Sequence, residues 1–446
     1  MSDLQALASD AYVYGYPMVF NLDEVDRFTR KGMNAVAPAP FNTFSHATKL
    51  AGPDDTFVSV NNDTVYSMAQ IDLSAGPLLL TVPGTGGRYY VMQFVDAWTN
   101  NFAYVGRRAT GTRPGRFLCT PPGWSGKVPQ GATRIAFPTT VASIVARWAC
   151  AGEADIAAVR ALQDATALEP YGTPGEAEGL PVADVGVVDV IDGGLMFFEK
   201  LRVRMAAFPP APADIDFQGT FAPLGLLKAV SPYTSPDPEL AEALRAGFAD
   251  GKEKVELATT HGMSPEDNGW KLAYHAFDYN ADFFEIGTVT DPAWIVEDRA
   301  RARVMRAAAA RAGLWGNHGY EAAYAMTWND AAGEPLDGGS SYTLRFEKAP
   351  PVDAFWSVTM YDLPEYHLVD NAADRYSIGD RTPGLVRASD GSLTLRLSSE
   401  RPADETEAAN WLPTPPGRFR PVLRMYEPRD AVVTGSYRLP PITRVS

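Results

Sequence analysis

Seven runs between residues 57 and 138 decide the fold: FVSV (57–60), TVYSMAQIDL (64–73), PLLLTVP (77–83), RYYVMQFV (88–95), NFAYVG (101–106), RFLCT (116–120) and TRIAFP (133–138). Each is short and rich in β-branched or aromatic residues, and Gly, Pro and Asn separate them. Runs of this kind at ~8–14-residue spacing predict an antiparallel β-sandwich. Alternation within RYYVMQFV puts Arg88, Tyr90, Met92 and Phe94 on one face and Tyr89, Val91, Gln93 and Val95 on the other. Gln93 among apolar neighbours implies a buried amide with a partner.

Upstream, apolar residues at helical spacing predict a first helix that Pro17 kinks or ends near Tyr16. A second helix stops at Gly32, and Pro38-Ala39-Pro40 is a linker. Downstream, VASIVARWACAG (141–152), ADIAAVRALQDATAL (154–168), GGLMFFEKLRVRMAAF (193–208), PELAEALRAGFADGKEKVELATT (238–260) and EDRARARVMRAAAARAG (297–313) carry three- and four-residue apolar steps and read as helices. In the last of these, Arg299, Arg303 and Arg306 share a face, either as an anion site or subunit contact or as a solvated face paired with carboxylates. After about residue 317 strands return in YEAAYAMTW, SYTLRFE, AFWSVTMYD, SLTLRLS and FRPVLRMYE. The predicted division is 1–35 N-terminal helices, 36–140 β-sandwich, 141–315 helical region and 316–446 a second β domain: an α+β, mainly β, architecture.

Composition narrows function. The chain has 446 residues and a formal net charge of −15, which disfavours nucleic acid and acidic membranes as partners. Two cysteines exclude a disulfide scaffold and a zinc ribbon, and five His make a His-rich metal site hard to build. No secretory signal and no long apolar run is seen at sequence level, so the expected location is cytoplasmic. There is no P-loop and no H-E-x-x-H. Gly84-Thr85-Gly86-Gly87 lacks the following helix of a dinucleotide site. Gly123-Trp124-Ser125-Gly126 lacks the last glycine of a nucleophile elbow.

The remaining chemistry sits at strand ends. Asn61-Asn62-Asp63-Thr64 offers amide and carboxylate oxygens, or simply makes a turn. Asp96, Thr99 and Asn100 follow the strand at 88–95. His46 lies in FNTFSHATKL, a segment that can be helical, and a His beside an Asp performs acid–base chemistry near neutral pH. Arg375 can clamp a carboxylate, and Trp411 can line a pocket.

These residues also carry a resemblance. Tyr14-Gly15-Tyr16-Pro17, Asn61-Asn62-Asp63-Thr64 with Tyr66, Arg88-Tyr89-Tyr90 with Gln93, Asp96 and Asn100, the run from Ala354 to Asp362, Arg375-Tyr376 and Asn410-Trp411-Leu412-Pro413 together resemble the family that joins domain of unknown function 1254 to domain of unknown function 1214. The resemblance implies an immunoglobulin-like N-terminal sandwich, a helical insert and a jelly-roll-like C-terminal sandwich. It supplies no reaction, cofactor or catalytic residue.

The functional expectation is a cofactor-independent hydrolase or lyase for a small organic molecule. His46, Asp63 and Asp96 are its catalytic candidates, and Asn62, Tyr66, Asn100, Arg375 and Trp411 its substrate-binding candidates. The alternative is a non-catalytic ligand- or protein-binding module; a weaker one is a metal-assisted hydrolase. No cofactor and no resident metal are expected, and a homo-oligomer is.

Overall fold

Strand-forming residues segregate into two halves of the chain, each with two sheets. The computed structural model describes residues 3–55, 59–183, 185–262 and 264–445. The N-terminal half contributes β1 (Ser45–His46), β2 (Thr64–Asp72), β3 (Leu78–Val82), β4 (Tyr90–Asp96), β5 (Asn101–Gly106), β6 (Gly115–Thr120), β7 (Thr133–Ala136), β8 (Val141–Ala149) and β9 (Ala167–Pro170). They form a five-stranded sheet, β1-β2-β8-β4-β5, and a four-stranded sheet, β7-β6-β3-β9. One apolar core joins the two sheets: Val65, Phe94, Phe102 and Trp148 come from the first, and Leu80, Val82, Phe117 and Ile135 from the second.

The C-terminal half repeats the scheme. Its strands are β10 (Glu266–Asp267), β11 (Trp270–Leu272), β12 (Ala322–Met326), β13 (Ser341–Phe346), β14 (Val352–Asp362), β15 (Ser377–Gly379), β16 (Leu393–Ser398), β17 (Trp411–Pro413), β18 (Phe419–Pro428) and β19 (Ile442–Val445). A six-stranded sheet, β10-β11-β12-β18-β14-β15, and a four-stranded sheet, β17-β16-β13-β19, share a second core.

The two halves meet back to back. The face of the five-stranded sheet that carries Tyr89, Val91 and Ala149 packs on Ala322, Phe355 and Tyr426 of the six-stranded sheet. Tyr90, Met92 and Phe94 face the N-terminal core instead, as strand alternation requires. Gln93 is fully buried. Its amide donates to Asn101 Oδ1 (2.6 Å) and to the Gly316 carbonyl (2.7 Å), and its oxygen accepts from Arg147 (2.9 Å).

Three expectations are corrected. The N-terminal segment is one continuous helix, Asp3–Lys31, with Pro17 inside it. Proline removes one helical hydrogen bond, but burial of Ala8, Ala11, Met18, Leu22, Val25 and Phe28 along the helix outweighs that loss. The helix Pro238–His261 packs on it at close range: a Cβ on Gly247 would lie 2.4 Å from the Ala8 side chain. Second, VASIVARW is not a helix. It is β8, the middle strand of the five-stranded sheet, paired with β2 on one side and β4 on the other. A strand buried on both faces reads as an unbroken apolar run, and periodicity alone does not tell it from a helix. The first β unit therefore continues past residue 140, to β9. Third, His46 lies on the short strand β1 rather than a helix. The first run, FVSV, falls partly outside the described residues.

The helices Met196–Ala207, Pro238–His261 and Arg299–Gly313 form where periodicity placed them. Both cysteines are buried and free. Among the described residues, no helix is long and apolar enough to cross a membrane.

Candidate functional site

Strand register separates the expected catalytic residues. Thr64 pairs with Ala149 of β8, whereas Asp96 pairs with Ala142 of the same strand. Seven residues of extended chain span roughly 24 Å at about 3.4 Å each. Asp63 and Asp96 thus occupy opposite ends of one sheet. His46 pairs with Ser67, on the core-facing side, and its Nδ1 lies 2.7 Å from the Ser67 hydroxyl. Burial lowers its pKa below the usual histidine value. Tyr66, one residue away, faces the other side. His46, Asp63 and Asp96 do not converge.

Each carboxylate has its own task. Asp63 is 3% exposed and accepts from Ser357 Oγ (2.6 Å) and the Tyr426 hydroxyl (3.0 Å), both in the C-terminal half. Its carbonyl accepts from Arg381 (3.0 Å). Asn61 shapes the preceding turn, its Oδ1 accepting from the amides of Asp63 and Thr64 and from the Thr64 hydroxyl, each at 3.0 Å. Asn62 donates to the Ala51 carbonyl (2.6 Å) and accepts from Ser377 (3.3 Å). Asp96 accepts from the Asn100 amide (2.7 Å) and side chain (2.8 Å). Complete burial pushes its carboxyl up to about 6 despite these bonds and the nearby Arg306. Arg375 donates to the Trp411 carbonyl (2.8 Å), and Trp411 to the Ser398 carbonyl (2.9 Å), so these two residues meet each other within the C-terminal half.

Two expected residues line cavities: Asn100 a small polar one at the Asp96 end of the sheet, and Tyr66 a larger one at the other end. The larger cavity, of about 100 Å³, lies on the second face of the five-stranded sheet. Its walls are mainly apolar: Met33, Val36, Met68, Val145, Leu314 and Trp315 among others. Lys49, Asp55, Tyr66 and Arg147 are among the polar residues that line it. Asn61 Nδ2 donates to the Tyr66 hydroxyl (2.5 Å), and the Arg147 guanidinium lies over the Tyr66 ring at 5.2 Å. Ser59 and Val60 complete the wall and are held from the C-terminal half. Arg424 donates to the Ser59 carbonyl (2.7 Å) and the Tyr361 hydroxyl to that of Val60 (2.6 Å).

Charge is the unusual feature. Arg147 is 7% exposed, yet its bonded partners are neutral: Gln93, Asn317 and the Trp315 carbonyl. A buried cation without an anion is costly. Glu321 is in the same region, where it accepts from Tyr89 (2.8 Å), but burial pushes its carboxyl up to about 8 and so keeps it protonated near neutrality. Lys49, exposed at the mouth, makes no ion pair or side-chain hydrogen bond among the described residues. Asp55 opposes these two cations and is itself bonded to the Gly52 amide (2.9 Å). Among the described residues, no group of three or more His, Cys, Asp or Glu side chains is placed to hold a metal ion.

Sequence reasoning missed Lys49, Arg147 and Trp315. A signal existed for Arg147: a lone cation inside the apolar run VASIVARW needs a special environment. Reading that run as a helix hid its alignment with Tyr66.

Comparison with known proteins agrees with this organisation. Residues 41–170 match "Protein of unknown function (DUF1254)" and residues 321–430 match "Protein of unknown function (DUF1214)". No curated protein matches. The crystal structure of the VPA0106 protein from Vibrio parahaemolyticus is similar over 99% of this chain and 100% of that one, at 23% identity and a TM-score of 0.74, and shares its fold. A putative uncharacterized protein from Burkholderia cenocepacia aligns over 98% of this chain and 88% of that one, at 11% identity and a TM-score of 0.44.

Proposed function

We propose that this chain, which belongs to the family joining the DUF1254 and DUF1214 domains, binds a small organic anion with a short apolar tail in the cavity beside Tyr66. The observation that carries this reading is an apolar cavity whose wall includes a buried arginine with neutral partners and whose mouth holds a lysine that is unpaired among the described residues. The tail would displace water from Met33, Val36 and Trp315, and the carboxylate would face Lys49 and Arg147. Size limits the ligand: a cavity on the order of 150 Å³ takes benzene, so about 100 Å³ suits a short-chain monocarboxylate. Binding is preferred to hydrolase or lyase chemistry, because the groups of the lining that could do acid–base or nucleophilic work are held by other partners: Asp55 by the Gly52 amide, the Tyr66 hydroxyl by Asn61 and the Ser59 hydroxyl by Arg420.

In this reading the N-terminal sheets form an immunoglobulin-like sandwich and the C-terminal sheets a jelly-roll-like one. The C-terminal half acts on the cavity by fixing Ser59 and Val60. The net charge of −15 supports a protein that avoids nucleic acid; a cytoplasmic location and a homo-oligomer are part of the same proposal.

The test is thermal unfolding with butyrate, valerate and their alcohols. Carboxylates should raise Tm more than alcohols of equal length. Lys49→Met should weaken carboxylate binding about tenfold, which is ~1.4 kcal/mol, and Ala47→Phe, which fills the cavity, should abolish it. Equal responses from acids and alcohols, or an unchanged response in Ala47→Phe, would overturn the proposal.

A further inference from the structure

A second, polar cavity lies at the other end of the five-stranded sheet, where Asp96 and Asn100 sit. It measures about 30 Å³ and is walled by Tyr14, Trp98, Asn100, Tyr279 and the shared face of Arg299, Arg303 and Arg306. That face is the one helical spacing assigned. Asp214 and Asp282 also line it. Arg303 donates to Asp214 (2.7 Å), and Arg299 pairs with Asp282 and, at 3.5 Å, with Asp214. Arg306 turns to neutral acceptors, the Trp98 carbonyl and Asn100 Oδ1, both at 2.8 Å. Three guanidinium groups thus line the cavity with two carboxylates, and Asp96, near Arg306, supplies a third negative charge once its carboxyl ionises. Asp96 stands behind Asn100, with its carboxyl at about 6.

Two buried donors of the cavity wall, the Tyr14 hydroxyl and Arg303 Nε, have no acceptor among the described residues. Gln218 lies outside the wall, and its side chain hydrogen-bonds the Tyr14 oxygen. Tyr14 is only 6% exposed, and its ring is fixed against Trp98 (5.0 Å) and Phe217 (5.4 Å). A buried donor without an acceptor is costly, so two in one cavity wall call for an acceptor inside it.

We propose that this cavity binds a small monovalent anion of the size of chloride or formate. The anion accepts from the Tyr14 hydroxyl and Arg303 Nε and faces the three guanidinium groups. The cavity has room for an ion of that size. The site is separate from the cavity at Tyr66, and its failure would leave that proposal untouched.

Bromide is the probe. Crystals of the full chain grown in sodium bromide, measured at the bromine absorption edge, should show an anomalous peak between Tyr14 and Arg303. Tyr14→Phe keeps the ring and removes only the unpartnered hydroxyl, so it should fold and lose most of the peak. In solution, replacing gluconate with chloride at constant ionic strength should raise the Tm of the wild-type protein. The chloride affinity should fall about tenfold in Tyr14→Phe. Gln218→Glu, which brings a carboxylate to the same donors, should remove the chloride response, and it provides the comparison if Tyr14→Phe does not fold. An ordered water in place of bromide, or a peak equally strong in Tyr14→Phe (an adventitious ion only), would overturn the proposal. So would a chloride response that survives in Gln218→Glu.

Discussion

The two ends of the five-stranded sheet each hold a buried aspartate, and the structure uses them differently. Asp63 bonds to Ser357 and Tyr426, 294 and 363 residues further along the chain. Asp96 bonds to Asn100, four residues away. One carboxylate latches two halves of the molecule together; the other locks a local turn beneath the helical layer. A motif of small polar residues at a strand end therefore does not disclose its role. The role depends on what the tertiary fold brings to that end.

The latch should break hardest. Asp63→Ala leaves two buried donors without an acceptor, and at about 1–3 kcal/mol for each the loss should be about 4 kcal/mol, read by urea unfolding. A loss of activity with unchanged stability would contradict the latch.

Glu321 sharpens the same junction through pH. Burial raises its carboxyl from the ordinary 4.5 to about 8. The folded state then holds a proton that the unfolded state releases as pH rises above 4.5. The stability associated with that proton is fully present below 4.5 and is lost progressively up to about pH 8. Glu321→Gln keeps an acceptor for Tyr89 and carries no charge. It should gain on the order of 3 kcal/mol over wild type at pH 7 and nothing at pH 4. Parallel pH profiles for the two proteins would contradict this.

Asp96→Ala should cost less than the latch, about 2 kcal/mol, because its partners are within one turn and can rebond to water. Equal losses for Asp63→Ala and Asp96→Ala would erase the contrast. The smallest effect belongs to His46→Gln. It should change stability by less than about 1 kcal/mol, since among the described residues the ring's hydrogen bond is to Ser67 and its stacking partner is Phe44.

Local signals were legible in the sequence. Six of the seven first strand runs, the Asn61 turn, the buried Gln93 and the Arg299–Arg303–Arg306 face follow from alternation, turn chemistry and helical spacing. Gly32, with φ of +72°, follows the helix end where the predicted second helix was to stop, although that helix is continuous from Asp3. What failed were the cases in which tertiary burial overrode local preference: Pro17 within a continuous helix, and VASIVARW as a central strand. The candidate site failed for a related reason. Tyr66 was found, but Arg147 reaches it through β2–β8 register, and Trp315 comes from the far end of the helical layer. Asp63 was singled out as a catalytic candidate, and its partners Ser357 and Tyr426 lie hundreds of residues away, beyond any local pattern.

The most direct test of the ligand cavity is a crystal structure of the full chain soaked in butyrate. The alkyl tail should lie among Met33, Val36 and Trp315, with the carboxylate toward Lys49 and Arg147. A cavity filled only by water at saturating butyrate, or butyrate bound only elsewhere on the protein, would contradict it.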